Sequence, residues 1–303
     1  MIEFHKIRPE ERDRYEAHLF AETERGCEYS FSNLILWGRQ QIAYLHGCVA
    51  FFSHFSGHTV YPFPIGGGDK AAVIREYLLD AQHRGIPCRI SGLTGPDCLW
   101  IDAQFPGTFH LHCNRDTFDY VYAIDALADL RGRKLQKKRN HFNRFQLAHP
   151  DYTAVPLTPE LLPQARALVE TWFARRAETD PQGDYLLERR ALDRALNRYD
   201  QLGMEGLLLY DGDRLLAMTM GSRLSKDTFD IHFEKALEDV DGAYGAINCE
   251  FARHLRLRHP EVRFLNREDD MGLEGLRKAK LSYHPDHLVE KCWAYVREDI
   301  YED

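Results

Sequence analysis

The order of secondary-structure patterns over residues 152–297 limits the folds open to this chain more than any other feature. A short strand pattern precedes two helical patterns, three strand patterns follow, and helix and strand patterns then alternate. Within this range TFDIHFE (228–234) alternates strictly and places Asp230, His232 and Glu234 on one side of its strand. The sequence therefore predicts an α+β unit with the order β-α-α-β-β-β-α-β-α-β, in which helices flank a mixed sheet.

The first half of the chain shows the same order of patterns. Strand patterns at IEFHKI, QIAYLHG, CVAFFSHF and HTVYPFP precede the glycine-rich stretch GGGDKAAV, which leads into a helix. The halves share no residue-level repeat, so the predicted duplication is one of fold order alone. We expect two domains, 1–125 and 126–303, the first ending near FDYVYAI (118–124).

Composition excludes several classes of protein. The 303 residues are 44% apolar with a formal net charge of -8, and no stretch approaches the roughly 18 apolar residues of a membrane span. A folded cytoplasmic protein without a transmembrane segment is expected. The seven cysteines are scattered outside any CxxC pair, which argues against a disulfide framework or a zinc cluster. FHLHC (109–113) offers two histidines and no third ligand nearby, so no metal is predicted.

The stretch RGRKLQKKRNHFNRF (131–145) concentrates positive charge in an acidic chain. It holds seven Lys or Arg residues and no carboxylate. As a helix it presents a basic face, suited to the phosphates of tRNA or another anionic ligand, while Leu135 and Phe142 pack on the protein. The alternative is a solvated helix whose charges pair with acidic residues. The candidate phosphate-binding residues in this stretch are Lys134, Lys137, Lys138, His141 and Arg144.

Two stretches carry a resemblance to a known family. Residues 119–145 (DYVYAIDALADLRGRKLQKKRNHFNRF) and 266–285 (NREDDMGLEGLRKAKLSYHP) resemble a bacterial family related to the C-terminal domain of phosphatidylglycerol lysyltransferases and to Fem-type aminoacyltransferases. The resemblance implies tandem GNAT-like (acyl-CoA N-acyltransferase-like) domains. It also implies transfer of an acyl group from aminoacyl-tRNA to an amine or hydroxyl of a small-molecule or peptide acceptor. A tRNA or another phosphate-bearing ligand is therefore an expected partner.

The segment GLRKAK (275–280) resembles the G-L-x-x-F-K segment of Fem-type transferases, whose lysine neutralises the developing oxyanion. That lysine falls on Lys280, and Ala279 replaces the aromatic residue. Acyl transfer also needs a base, for which Glu234 is the leading candidate. Glu268, Asp269 and Asp270 are further candidates, unless NREDD is a solvated loop and helix start. Tyr283 either relays a proton or packs. The further candidates for phosphate binding, which otherwise complement a helix dipole, are Arg277 and Lys278.

Glycine-containing loops bear on the donor. Coenzyme-A-dependent GNAT enzymes resemble one another in a Q/R-x-x-G-x-G/A loop that holds the pyrophosphate. Here 238–246 (EDVDGAYGA) supplies Gly242 and Gly245, but three carboxylates in the same stretch repel a pyrophosphate. Coenzyme A is therefore disfavoured, and no cofactor is predicted. The first half offers another possible anion loop, alternatively a turn into a helix, formed by Gly66, Gly67 and Gly68.

The leading hypothesis from the sequence is thus an acyltransferase, with aminoacyl-tRNA as its donor. One alternative is a non-catalytic protein that keeps the tandem fold to bind RNA, a nucleotide or an anionic ligand. The other is a coenzyme-A-dependent N-acetyltransferase. Lys280 separates the enzyme from the binding protein, which would keep the same basic face, and the loop 238–246 separates coenzyme A from the other donor.

Overall fold

The computed structural model describes residues 1–38, 40–55, 57–180 and 185–297, and it divides into two compact units. Most of the first half of the chain forms the first unit, and most of the second half forms the second. The first unit consists of Met1–Asp119, Asp269–Glu274 and the described residues from Leu288 on. The second unit consists of Tyr120–Glu268 and Gly275–His287.

The described strands and helices are numbered in chain order. The strands are β1 (His5–Lys6), β2 (Gln40–Leu45), β3 (Cys48–Phe55), β4 (His58–Pro62), β5 (Arg89–Leu93), β6 (Phe109–Cys113), β7 (Asp119–Ala123), β8 (Tyr152–Pro156), β9 (Glu205–Asp211), β10 (Arg214–Arg223), β11 (Thr228–Ala236), β12 (Phe264–Asn266), β13 (His287–Val289) and β14 (Cys292–Val296). The helices are α1 (Arg12–Leu19), α2 (Phe31–Trp37), α3 (Lys70–Arg84), α4 (Gly95–Gln104), α5 (Ile124–Asp129), α6 (Gln136–Ala148), α7 (Leu162–Thr179), α8 (Leu186–Asn197), α9 (Ala243–Arg258) and α10 (Glu274–Leu281).

The two sheets have the same strand order. Among the described residues, one sheet runs β1-β2-β3-β4-β5-β14-β6 and the other runs β8-β9-β10-β11-β12-β7-β13. In both, the fourth and fifth strands are parallel, with Tyr61 opposite Ile90 and Asp230 opposite Asn266. A helix joins each parallel pair, because parallel neighbours need a crossover connection. The predicted α+β class, with mixed sheets flanked by helices, is confirmed.

The last strand of each predicted half lies in the sheet of the other half. Strand β7, expected to end the first domain, pairs antiparallel with β12, and Val121 lies opposite Asn266. Strand β14, expected to end the second domain, lies between β5 and β6, where Cys292 faces Leu93 on one side and Cys113 on the other. The long segment of the first unit ends at Asp119, within FDYVYAI, but the strand formed there pairs in the sheet of the second unit. Alternation of apolar residues predicts a strand but not its partner.

Each unit has its own apolar core. In the first unit, Tyr61 and Ile90 of the sheet pack with Val73 and Tyr77 of α3, and all four are buried. In the second unit, helix α9 contacts β9, β10 and β11, and Phe251 of α9 stacks edge-on against Phe229. Within the described part of the chain, no helix combines the length and the apolar character that a membrane crossing requires.

The basic stretch 131–145 is helical only in part. Helix α6 begins at Gln136, so Lys134 lies in the preceding turn and does not share a helix face with the residues that follow. The reason is local, because Gly132 has a φ of 83° and the guanidinium of Arg139 donates to the carbonyl of Leu130 (2.6 Å), which holds the turn. The predicted apolar contacts, Leu135 and Phe142, are both buried.

The structure contains a disulfide that the sequence did not predict. Cys113 on β6 and Cys292 on β14 are directly opposite one another and bonded, although 179 residues separate them in the chain. The expectation of scattered thiols without any pairing is therefore wrong. Spacing along the chain carried no signal, because the pairing depends on the insertion of β14 beside β6.

Candidate active site

Strand β11 carries its polar side chains into the interior of the second unit. Asp230, His232 and Glu234 alternate along it as the sequence pattern predicts, yet Asp230 is fully buried and the His232 side chain is 1% exposed. Glu234 accepts a hydrogen bond from the Nδ2 of Asn248 in α9 (3.2 Å), so α9 reaches this side of the strand. Buried polar side chains need hydrogen-bond partners, and here those partners are other polar or ionisable side chains.

His232 lies between a hydroxyl and two carboxylates. Its Nε2 is 2.8 Å from the Oγ of Ser222 on the neighbouring strand β10. Its Nδ1 is 3.4 Å from Asp230 Oδ2 and 3.3 Å from Glu268 Oε1. Partners at both ring nitrogens fix the orientation of the imidazole. The ring nitrogens and the Glu268 carboxylate are therefore arranged so that a proton can pass between them.

The backbone around Glu268 is held in an unusual conformation. Glu268 has a φ of 57°, which is rare for a residue with a side chain. Its N–H donates to Asn266 Oδ1 (2.7 Å), and its carbonyl oxygen accepts from the N–H of Tyr120 (3.1 Å) and from the ammonium of Lys280 (3.1 Å). Lys280 also donates to the carbonyl of Arg267. Lys280, the predicted electrophile, thus fixes the segment that aims Glu268 at His232.

A second group of ionisable side chains surrounds Tyr283. Arg267 Nη2 is 3.0 Å from Glu234 Oε1, and its guanidinium lies 5.2 Å from the centre of the Tyr283 ring. The ammonium of Lys138, from α6, lies 4.0 Å from the centre of the same ring. Cations are attracted to the face of an aromatic ring. This attraction allows the positive charges of Arg267 and Lys138 to lie near each other. Three predicted residues, Glu234, Tyr283 and Lys138, are therefore brought together here.

Burial sets the protonation of this group. Burial and the nearby charge of Arg267 lower the pKa of Lys138. Burial raises the pKa of Tyr283, although the charge of Arg267 opposes the shift. For Arg267, burial favours the neutral form, but Glu234 together with Tyr122 and Tyr283 more than compensates, and the pKa is raised. The result is a partly buried cationic position that suits an oxyanion or a phosphate.

The loop before α9 lies beside this group. Gly242 has a φ of 86°, and a Cβ at Gly245 would lie 3.6 Å from the hydroxyl oxygen of Tyr283. The three carboxylates of the loop each have basic partners, so the repulsion expected against a pyrophosphate is partly neutralised. The pairs are Glu238 with Arg176 (3.4 Å), Asp239 with Arg175 (2.9 Å) and Arg214 (2.7 Å), and Asp241 with His141 (3.4 Å).

The remaining predicted phosphate contacts differ in exposure. Arg144 Nη2 is 2.7 Å from His141 Nδ1, so these two side chains form a pair on α6. Arg277 on α10 is half-buried. The side chains that face solvent are Lys134, Lys137, Arg144 and Lys278. Lys138 is thus the lysine that lies beside Tyr283, whereas the exposed basic residues remain available to a ligand at the surface.

The glycine loop of the first unit is packed as a turn. The N–H of Gly66 donates to Glu22 Oε1 (2.6 Å), so an internal carboxylate uses the amide that an anion would need. A Cβ at Gly68 would lie 2.1 Å from the carbonyl oxygen of His46, and one at Gly67 would meet nothing within 4 Å. A side chain at position 68 would clash with the backbone, so close packing requires Gly68. This packing favours the alternative interpretation of the loop, a turn into a helix.

Comparison with known proteins identifies the family. Residues 21–295 match the family model described as "Phosphatidylglycerol lysyltransferase, C-terminal". The chain belongs to this family. It is also similar to a conserved protein of unknown function from Bacteroides thetaiotaomicron, with 36% identity and a TM-score of 0.93 over 98% of this chain and 100% of the other.

More distant relatives extend the likeness. L-PGS from Bacillus licheniformis superposes with a TM-score of 0.69 at 15% identity, over 94% of this chain and 92% of that chain. FemX superposes with a TM-score of 0.59 at 11% identity, over 99% and 98% of the two chains. An uncharacterized protein from Mycoplasmoides gallisepticum is 26% identical over 204 residues, which is 67% of this chain but 63% of that protein. At these identities L-PGS and FemX show that the fold is shared.

Sequence reasoning missed several members of the site in this family member. Ser222, Asp230, His232, Asn248 and Arg267 were not among the predicted residues, although all contact a member of the two groups. A signal was present in TFDIHFE, where three ionisable residues alternate on a strand that also has an apolar side. Arg267 and Asn248 gave no comparable signal, because their roles depend on tertiary contacts.

Proposed function

We propose that this protein is an aminoacyltransferase that takes its acyl group from aminoacyl-tRNA. Family membership and fold support the reaction class, and the chemistry of the second unit supports the rest. In this reaction the ester bond between the acyl carbon and the ribose oxygen breaks, and a bond to the nitrogen or oxygen of the acceptor forms. The acceptor loses a proton, and the ribose oxygen gains one.

The group around His232 carries this proposal. Glu268 is the base that takes the proton of the acceptor, because its carboxylate is 24% exposed while that of Asp230 is buried. His232 stands 3.3 Å behind Glu268 and stabilises the arriving proton by sharing it. Lys280 and Asn266 hold the Glu268 backbone, so the carboxylate meets the acceptor in a fixed direction.

The group around Tyr283 supplies the positive charge that acyl transfer needs. Arg267 and Lys138 place two cations beside one ring, where they stabilise the oxyanion of the transition state or a phosphate of the donor. The exposed residues Lys134, Lys137 and Arg144 contact further phosphates of tRNA. Because the carboxylates of the 238–246 loop are paired, coenzyme A is the rival donor.

The test is transfer to a panel of amines and hydroxyl compounds, from labelled aminoacyl-tRNA and separately from acyl-coenzyme A. Glu268→Gln keeps the size of the side chain but cannot take a proton, so kcat should fall about 100-fold or more with an unchanged melting temperature. Glu274→Gln, an exposed position nearby, is the matched control and should retain full activity. Full activity of Glu268→Gln would exclude Glu268 as the base. Turnover from acyl-coenzyme A alone would establish the rival donor.

A further inference from the structure

Three cysteine sulfurs meet in the first unit, whereas the residues assigned to catalysis belong to the second. Cys98, Cys113 and Cys292 have sulfur atoms that all lie within 4.8 Å of one another. They come from three elements, namely helix α4 and the adjacent strands β6 and β14. Cys113 and Cys292 form the disulfide, and Cys98 is the third sulfur beside it.

The arrangement matches what a thiophilic metal ion requires. Zinc bound by thiolates sits about 2.3 Å from each sulfur in a tetrahedron, which places sulfurs about 3.8 Å apart. Once the disulfide is reduced, two sulfurs separate toward this spacing while the third already lies within 4.8 Å. The three ligands sit on a helix and on two paired strands, so the fold brings them together before any metal binds.

The three cysteines differ in their exposure to solvent. Cys292 is buried, Cys98 is half-buried and Cys113 is exposed. A metal ion bound to all three sulfurs has protein on the side of the buried Cys292, and its fourth coordination position lies on the side of the exposed Cys113, where a water molecule can bind.

We propose that in the reduced protein Cys98, Cys113 and Cys292 bind one zinc ion, and that the Cys113–Cys292 disulfide is the oxidised state of the same site. A peroxide is the oxidant. Two thiolates give up two electrons and form the S–S bond, hydrogen peroxide accepts these electrons with two protons to yield two water molecules, and the zinc ion is released. Cys98 keeps a thiol and is protonated. The site therefore exchanges a metal for a disulfide at the same place in the fold.

The experiment uses the full chain, reduced, freed of metal with a chelator, and titrated with Zn²⁺ in a calorimeter. One ion should bind per chain with a submicromolar Kd. Replacement by Co²⁺ should give the thiolate-to-metal charge-transfer absorption of a sulfur-rich tetrahedral site. Peroxide should release the bound zinc in step with loss of two hydrogens from the protein mass.

The variant Cys98→Ser makes the test specific. It retains Cys113 and Cys292, so it should still form the disulfide, which shows that the first unit is folded. Its zinc affinity should fall about 100-fold or more, because one of three thiolates is lost. Cys249→Ser, a buried cysteine of the second unit, is the control and should bind zinc like the wild type. The proposal is wrong if reduced protein binds no zinc, or if Cys98→Ser binds it as tightly as the wild type.

Discussion

The fourth strands of the two sheets, β4 and β11, hold equivalent places but carry different chemistry. In β4, Val60 and Tyr61 are buried, and the hydroxyl of Tyr61 donates to Asp80 (2.9 Å). In β11 the corresponding interior holds Asp230 and His232. One strand order therefore supports an aromatic core in one unit and a group of buried ionisable side chains in the other. The fold alone does not locate the active site.

Buried charge in the two units differs in the same way. In the first unit the ammonium of Lys291 lies 2.6 Å from Asp119, 3.2 Å from Glu28 and 3.8 Å from Asp269. Burial opposes the charge of this lysine, but the three carboxylates raise its pKa well above the usual value. In the second unit the central residue is His232, whose side chain is 1% exposed and lies between the carboxylates of Asp230 and Glu268. The first network is therefore centred on a buried cation and the second on a buried histidine.

The largest expected effect breaks the network of the first unit. Lys291→Met leaves Asp119 and Glu28 as buried carboxylates without their cation, so the free energy of unfolding should fall by about 3–5 kcal/mol. Urea denaturation followed by circular dichroism measures the loss. The rate of acyl transfer per folded molecule should stay near that of the wild type. If the variant has normal stability but has lost activity, Lys291 has a catalytic role and not a structural one.

The next effect concerns the second unit. His232→Gln keeps a hydrogen-bonding partner for Ser222 but cannot hold the proton shared with Glu268, so kcat should fall on the order of 100-fold. Because His232 acts through Glu268, the pH profile of kcat should also change shape, which loss of packing alone would not cause. The matched variant in the first unit, Tyr61→Phe, should leave kcat and its pH profile intact. Equal losses in both variants would show that the difference between β4 and β11 has no catalytic meaning.

The sequence predicted the architecture better than the site. Patterns of apolar residues gave the order of elements in both units, because periodicity is a local property. They could not show that β7 and β14 each join the other sheet, since pairing depends on contacts far apart in the chain. For the same reason the three sulfurs were missed, while Glu234, Tyr283 and Lys138 were selected without the arginine that joins them.

The smallest effect tests whether the cationic position beside Tyr283 is built at a cost to stability. Burial and the charge of Arg267 lower the pKa of Lys138 in the folded state. In the unfolded state the pKa of a lysine is about 10.4, so the folded state releases the proton at a lower pH than the unfolded state does. Between the lowered pKa and about 10.4 the unfolded state binds more protons, and the free energy of unfolding therefore rises with pH.

Lys138→Met should remove this rise, and below the lowered pKa it should be more stable than the wild type, by less than about 1 kcal/mol because the lysine is partly solvated. Denaturation at several pH values between about 7 and 10 measures the difference between the two proteins. The exposed neighbour Lys137→Met is the control and should follow the wild type at each pH. A Lys138→Met curve parallel to that of the wild type would mean that Lys138 is not held near Arg267 in solution. The site would then have a single cation, Arg267, beside Tyr283. In that respect it would resemble the ion network of the first unit, which is centred on one cation, Lys291.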